Sequence, residues 1–354
     1  MTDATPKPRA RRSGVTLKQI ADRTGVSATT ISRVLNFDSS LSIGDETRQK
    51  IIETAEALNY EPPRRRKRLA LKEDERKISL FHFLRPDQEL VDPYYIAMRI
   101  GIETKCRAVG LDQVKFYSGD ALDNLHSLGN LGGCIAIGHH SEMEIDKLRK
   151  AARHLVIADH MPLEDDVDAV VCDRAAAMRK LLRALDAAGY TRIAFAGWSN
   201  KVGNVDPYDR TPEFRHGAYL QWMEERERYD PDLVKIGVNT EQSGHELTLD
   251  LLKLNQKPDV IVTANDNMAI GAYRAISEAG LSVPEDISVA SFNDISAAQF
   301  MNPPLTTVRL PAERIGENAV ELLVERMAGR QLAKRISLES KIVWRGSTRT
   351  PETD

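Results

Sequence analysis

Apolar residues fall at Leu17, Ile20 and Ala21, and again at Val26, Ile31, Val34 and Leu35, the i, i+3, i+4 rhythm of amphipathic helices. Thr16 with Gln19 three residues on is a capping box that predicts the start of the first helix. Thr24-Gly25 ends it, because glycine takes the left-handed φ of a tight turn. Ser27 predicts the cap of a second helix, Ala28 to Leu35, and a third runs from Asp45 to Leu58 with Ile51, Ile52, Ala55 and Leu58 inward. Two short helices about a glycine turn are the pattern of a helix-turn-helix, whose second helix enters the DNA major groove. A plain three-helix knob with its polar face in water is the competing reading.

Further along, the period changes. Short apolar runs at 77–84, 130–138, 154–159, 167–172, 192–196, 259–263 and 287–292 predict strands. Helical stretches lie between or after them: Tyr94 to Val109, Asp173 to Ala188, Thr211 to Arg228, Asn267 to Gly280 and Ala312 to Gly329. Strands separated by helices of this length imply parallel sheets with right-handed crossovers. Their number exceeds one open sheet, so two doubly wound subdomains with a cleft between them are expected. Ligands of such sheets sit at the carboxyl ends of the strands.

Charge sharpens the division. Residues 1–72 carry 15 Lys+Arg against 8 Asp+Glu, whereas the whole chain is −3, so the remainder is −10. A basic head on an acidic body suits a DNA-binding unit on a part not drawn to phosphate. Between them, Pro62-Pro63 stops the third helix and Arg64 to Arg68 supplies five consecutive cations before Leu69-Ala70-Leu71. This segment reads as a hinge that orders on DNA, with Leu69 a wedge for the minor groove, or as a disordered basic linker. Cys106, Cys134 and Cys172 lack CxxC spacing and are expected to be free and buried. The basic N-terminus has no apolar core after it, which argues against a secretory signal and for a cytoplasmic, nucleoid-associated protein. No nucleophile elbow, Walker loop, GxGxxG or HExxH is present, and His139-His140 reads as exposed loop, so neither an enzyme, a metal site nor a cofactor is expected.

TLKQIADRTGVSATTISRVLN and TRQKIIETAEALNYEP resemble the head of the lactose-repressor (LacI/GalR) family, and VTANDNMAIGAYRAISEAGLSVPEDISVASFND with PPLTTVR resembles its effector domain. DPYYIAMRIGIETKC and the Phe292 to Ile295 stretch are most similar to repressors of β-galactoside operons, the evolved-β-galactosidase type. The resemblance implies an all-α helix-turn-helix head and an α/β periplasmic-binding-protein-like body. The expected division is a basic tail over 1–15, the head over 16–61, a hinge over 62–76 and an effector-binding and dimerisation domain over 77–348. It implies a homodimer that binds double-stranded operator DNA and a carbohydrate effector. No leucine heptad follows Arg345, so a tetramer is not expected.

By this resemblance Thr16, Ser27, Ala28, Thr29, Ser32, Arg33, Asn36, Tyr60 and Leu69 hold DNA-contacting positions. Ala28 and Thr29 open the helix that selects bases, where small side chains suit thymine methyls. Arg66 and Pro63 depart from the family's hinge. In the body Arg215, followed by Ala218 and Tyr219, matches an effector-binding arginine, with Thr211-Pro212 expected to begin its helix. Asn265 matches a ligand-binding asparagine, and Asn293 stands where relatives have aspartate. Asp159, Tyr94 and Trp198 are expected to complete the pocket, the aromatics as stacking faces and Trp198 two residues past its strand. Asn239 replaces a tryptophan of the lactose repressor, so the sugar's identity does not transfer. Ligand-driven closure that unseats paired hinges would make sugar and a pseudo-palindromic operator antagonistic. A corepressor that strengthens DNA binding uses the same cleft with the opposite sign. A transport binding protein shares the two-lobed body but not the basic head.

Overall fold

The computed structural model describes residues 16–35, 43–58, 74–117, 131–198 and 213–350. They fall in two compact units, one up to position 67 and one from position 68. Asn36, Tyr60 and Leu69, the hinge cations, the basic tail and Thr211-Pro212 lie outside the described residues.

The smaller unit holds α1 (Leu17–Thr24), α2 (Ala28–Leu35) and α3 (Asp45–Ala57). Ile20, Ile31, Val34, Ile51 and Ala55 form its core, with Leu17, Ala21, Val26, Leu35, Ile52 and Leu58 packed around it. The stops and starts are local. The Gln19 side chain accepts from the Thr16 amide at 2.7 Å, Gly25 turns at φ 75°, and Ser27 Oγ accepts from Thr30 N at 3.2 Å.

The larger unit continues with β1 (Lys77–His82), α4 (Pro86–Leu90), α5 (Pro93–Val109), β2 (Asp112–Tyr117), β3 (Gly133–Ile137), α6 (Glu142–Ala151), β4 (Leu155–Ala158) and β5 (Asp168–Cys172). Next come α7 (Arg174–Ala187), β6 (Ile193–Trp198), α8 (Phe214–Glu224), β7 (Val234–Gly237), α9 (Glu241–Leu252), β8 (Val260–Thr263), α10 (Asp266–Glu278) and β9 (Ser288–Asn293). The chain closes with β10 (Thr306–Arg309), α11 (Ala312–Met327), β11 (Arg335–Leu338) and β12 (Lys341–Val343). Two six-stranded sheets result, ordered β11-β5-β4-β3-β1-β2 and β12-β10-β9-β8-β6-β7. All neighbours pair in parallel except β12, which runs antiparallel to β10. The chain passes between the sheets three times: from β5 to α7, from β10 to α11, and from β11 to β12. Among the described residues no helix is long and apolar enough to cross a membrane.

The central strands are the apolar runs that the sequence marks. β3, β4, β5 and β8 are buried along their whole length, as parallel strands covered on both faces must be. The strands absent from the sequence reading are β2, β7, β10, β11 and β12. β2, β7, β11 and β12 are sheet edges or half-buried, with too few apolar positions to stand out. α4, α6 and α9 are also additions: α6 buries only Ile145 and Leu148 and otherwise faces water. Two boundaries differ. β6 runs on to Trp198 because Gly197 and Trp198 pair with Ile236 and Gly237. α8 is capped by Glu213 and ends at Glu224, short of the expected Arg228.

Candidate functional site

On the head, Ile31 and Val34 of α2 face the core, which turns Thr29 and Arg33 to the opposite side with Ser32 on the flank, while Ala28 is exposed as the first residue of the helix. Thr16, Ser27, Ala28 and Thr29 are exposed, and Ser32 and Arg33 are half-buried. Ser27 Oγ also lies 2.8 Å from Thr30 Oγ1, so its hydroxyl serves the helix start as well as any outside partner. The Ala28 and Thr29 methyls, the hydroxyls of Thr16, Ser27, Thr29 and Ser32 and the Arg33 guanidinium are the equipment for thymine methyls, base edges and phosphates.

In the body, polar side chains gather at the carboxyl ends of both sheets. On the first sheet, Asp159 follows β4 at φ 71° with its side chain only 1% exposed. Its Oδ1 accepts from Tyr94 Oη at 2.8 Å and its Oδ2 from Tyr95 Oη at 3.0 Å. Both tyrosines stand in the first turn of α5, capped by Asp92, whose Oδ1 accepts from the amides of Tyr94 and Tyr95. Arg174, the first residue of α7, donates to the Asp159 carbonyl at 3.1 Å and faces its carboxylate at 3.6 Å. Burial pushes the Asp92 carboxyl up to about 6, against the two amide hydrogen bonds; Asp159 adds to the rise and Arg215 opposes it.

On the second sheet, Arg215 is 2% exposed although it is the largest fully buried side chain. Glu213 holds it: Oε1 accepts from Nε at 3.0 Å and lies 3.0 Å from Nη2, and Oε2 accepts from the Arg215 amide at 2.9 Å. The Ala264 carbonyl takes Nη1. The guanidinium lies 4.5 Å from the Trp198 ring centre and 5.6 Å from that of Phe292, a stacked geometry favourable to a desolvated cation. Burial alone would raise the Glu213 carboxyl, but the charges of Arg215 and Arg174 and the bonds from Arg215 hold it below the usual range. Asn265 caps α10, its Oδ1 accepting from Met268 N at 2.9 Å, which leaves its NH2 group to face outward chemistry. Asn293 ends β9 at φ 106°, and the next residue, Asp294, is clamped between Arg309 at 2.6 Å and Arg345 at 2.7 Å. Arg174 lies 5.5 Å from the ring centre of Phe214, so the two groups of residues meet in one place.

The structure thus brings together Tyr94, Asp159, Trp198 and Arg215, and sets Asn265 and Asn293 at neighbouring strand ends. Two expected roles change. Tyr94 is 6% exposed with its hydroxyl on Asp159, so it braces that carboxylate and its ring is not an open stacking face. One face of Trp198 is already covered by Arg215. Four residues were not singled out from the sequence: Asp92, Tyr95, Arg174 and Glu213. The usable signal was a charge or cap immediately after a buried apolar run, as in VVCDR, or beside a proline, as in DPYY. His140 is buried, not an exposed loop residue; it packs on Phe81, and burial lowers its imidazole to about 4. All three cysteines are free and buried. Among the described residues, no three His, Cys, Asp or Glu side chains are arranged to hold a metal.

Comparison with known proteins places these units in context. Residues 16–63 match the family model described as bacterial regulatory proteins, lacI family, and residues 182–348 match that of a periplasmic binding protein-like domain. The chain is 33% identical over 338 residues to the HTH-type transcriptional repressor MelR of Bacillus subtilis, covering 94% of this chain and 97% of that one. It is 56% identical over 110 residues to a lactose operon repressor of Rhizobium radiobacter, spanning 31% of this chain and 97% of that protein. Among solved structures, a complex of the transcriptional regulator CelR with cellobiose superposes with a TM-score of 0.67 at 25% identity, covering 94% of this chain and all of that one.

Proposed function

Because the chain belongs to the LacI family of bacterial regulatory proteins, it is a DNA-binding regulator of transcription and not an enzyme, and we propose that it represses a carbohydrate-use operon until a small sugar releases it. The head docks on operator DNA through Thr16, Ser27, Ala28, Thr29, Ser32 and Arg33, joined by Asn36, Tyr60 and the Leu69 wedge of the hinge. Two copies bind one pseudo-palindromic operator, since a two-fold dimer imposes its symmetry on the site. In this reading residues 16–61 are the head, 62–76 the hinge and 77–348 the effector and dimerisation domain, and the protein acts in the cytoplasm.

The observation that carries the effector reading is the meeting of Arg215, Asp159 and Trp198 at facing strand ends, with Asn265 and Asn293 beside them. Carboxylate, amide and guanidinium groups around aromatic rings suit the hydroxyls and apolar faces of a pyranose. The name of the lactose operon repressor and the cellobiose bound to CelR support a glycoside, and a galactoside is the first choice. A sugar that draws both sheets onto itself changes their relative orientation. If the closed body cannot seat both hinges, sugar and operator bind antagonistically, by the same factor in each direction.

The test is titration of the full chain onto its own upstream intergenic DNA at fixed salt, with and without a panel of galactosides and glucosides. Release by one sugar, lost in Arg215→Ala while DNA binding persists, is the expected result. Tighter DNA binding with sugar would make the ligand a corepressor, and no binding to any upstream fragment would overturn the regulator's assigned target.

A further inference from the structure

Two guanidinium groups in a sugar cleft raise the question of why they do not capture a phosphate. Free arginine pairs are the usual receptors for phosphorylated ligands, since the planar fork matches two oxygens at once. Here both forks are already engaged. Arg215 is held by Glu213 through Nε and Nη2 and by the Ala264 carbonyl through Nη1. Arg174 is turned onto Asp159, on its carbonyl at 3.1 Å and its carboxylate at 3.6 Å. Asp92 adds a third carboxyl beside them, since it caps the helix turn of Tyr94 and Tyr95, whose hydroxyls hold Asp159.

We infer that Glu213 and Asp159, by neutralising Arg215 and Arg174 inside the cleft, make it selective for an uncharged glycoside and exclude sugar phosphates and acidic sugars. The inference rests on the sugar-effector reading above and adds the charge class of the ligand and the residues that set it. Among the described residues of this cluster, the carboxyls of Glu213, Asp159 and Asp92 stand against the guanidiniums of Arg215 and Arg174, so it holds no surplus of positive charge. An anionic ligand could take a two-pronged grip on a guanidinium only by detaching it from a buried carboxylate, leaving that carboxylate unpaired in a poorly solvated place, and otherwise it meets a cation whose charge is already neutralised. An uncharged glycoside needs no such exchange: it can accept from the remaining guanidinium N–H groups and donate to carboxylate lone pairs while both ion pairs stay closed. Asp159 is tied to a different element, because the hydroxyls of Tyr94 and Tyr95 on α5 hold its two oxygens. Glu213 caps its own helix and clamps its own neighbour two residues on, so it is the simpler lever on charge selection.

Isothermal titration of the full chain with matched pairs tests this: methyl β-galactoside against its 6-phosphate and against methyl β-galacturonide, and methyl β-glucoside against its 6-phosphate. The neutral member of a pair should bind at least about 100-fold more tightly, as expected for one uncompensated charge at roughly 6 Å in a partly buried site. In Glu213→Gln, which keeps the size and the capping oxygen, that ratio should shrink by about tenfold or more. Asp159→Asn serves the same purpose where Glu213→Gln fails to fold. Equal or tighter binding of the phosphate by the unaltered protein would overturn the charge assignment and leave the sugar reading standing. An unchanged ratio in both folded variants would overturn the roles of Glu213 and Asp159. Binding of no sugar, charged or neutral, would overturn the sugar reading itself.

Discussion

Asp266, the first residue of α10, shows how much a single buried carboxyl can weigh in this body. Its Oδ1 accepts from Thr307 Oγ1 at 2.7 Å and its Oδ2 from Ile295 N at 2.8 Å, so it ties the start of α10 to the loop after β9 and to β10. Burial pushes its pKa up to about 7, against the hydrogen bonds from Thr307, Ile295 and Ser291 and with the help of Asp294. A carboxyl raised in the folded state keeps its proton there while the unfolded chain, at about 3.9, loses it. Stability therefore falls as pH climbs from about 4 to about 7 and levels off above, a loss on the order of 4 kcal/mol for this group alone. In Asp266→Asn that contribution is gone, while one amide oxygen and one amide donor can still meet Ile295 and Thr307. Urea unfolding at pH 4.5, 6 and 7.5 should show the variant gaining on the wild type as pH rises; parallel curves would remove Asp266 as the source. Asp92, at about 6, acts in the same direction over a narrower range.

Among elements, the contact of α5 with α11 sets how closely the first sheet's helices approach. Gly101 and Gly316 lie in it: a Cβ on Gly101 would overlap the Glu313 carbonyl, and one on Gly316 would overlap that of Met98. Backbone meets backbone there, with no flexible side-chain end to give way. Gly101→Ala gains about 1 kcal/mol of helix propensity, yet overpacking should outweigh it by roughly 1–3 kcal/mol. Thermal unfolding of the body should fall by several degrees; an unchanged or higher midpoint would mean that the helices separate at little cost. α9 and α10 use the same device at Gly244 and Gly271.

At the scale of the whole molecule, the two binding reactions should answer differently to salt. DNA binding through the basic head releases counterions and should weaken by a factor on the order of 10³ or more between 50 and 200 mM salt if six or more phosphates are met. Binding of an uncharged glycoside among closed ion pairs should change by less than about twofold over the same range, because buried pairs are poorly screened. Parallel titrations by fluorescence anisotropy and calorimetry separate the two. A sugar affinity that fell as steeply as the DNA affinity would point to a charged ligand contact. At 100 times its dissociation constant the sugar should also stabilise the body by about 2.7 kcal/mol, visible in its unfolding midpoint.

Features that depend on near neighbours along the chain are readable from the chain alone. Thr16, Gly25 and Ser27 bound the helices of the head because caps and left-handed turns are satisfied within four residues. Most inner strands announced themselves because both their faces are covered and most of their positions are apolar, whereas β10, with buried Thr306 and Thr307, did not. Arg215, Asn265 and Asp159 were marked only by resemblance to the family, and the fold sets Asp159 just after β4 and Asn265 just after β8. Tertiary structure decided the rest. β2, β7, β11 and β12 exist because an inner strand offers them hydrogen bonds, not because their own residues insist on a strand. Trp198 joins β6 because β7 pairs with its last two residues. Tyr94 becomes a brace and not a stacking face because a carboxylate 65 positions away meets its hydroxyl. The charge of the cleft is likewise a tertiary property: a guanidinium's availability depends on which carboxylate the fold brings within reach of it, and spacing along the chain does not encode the partner of Arg174.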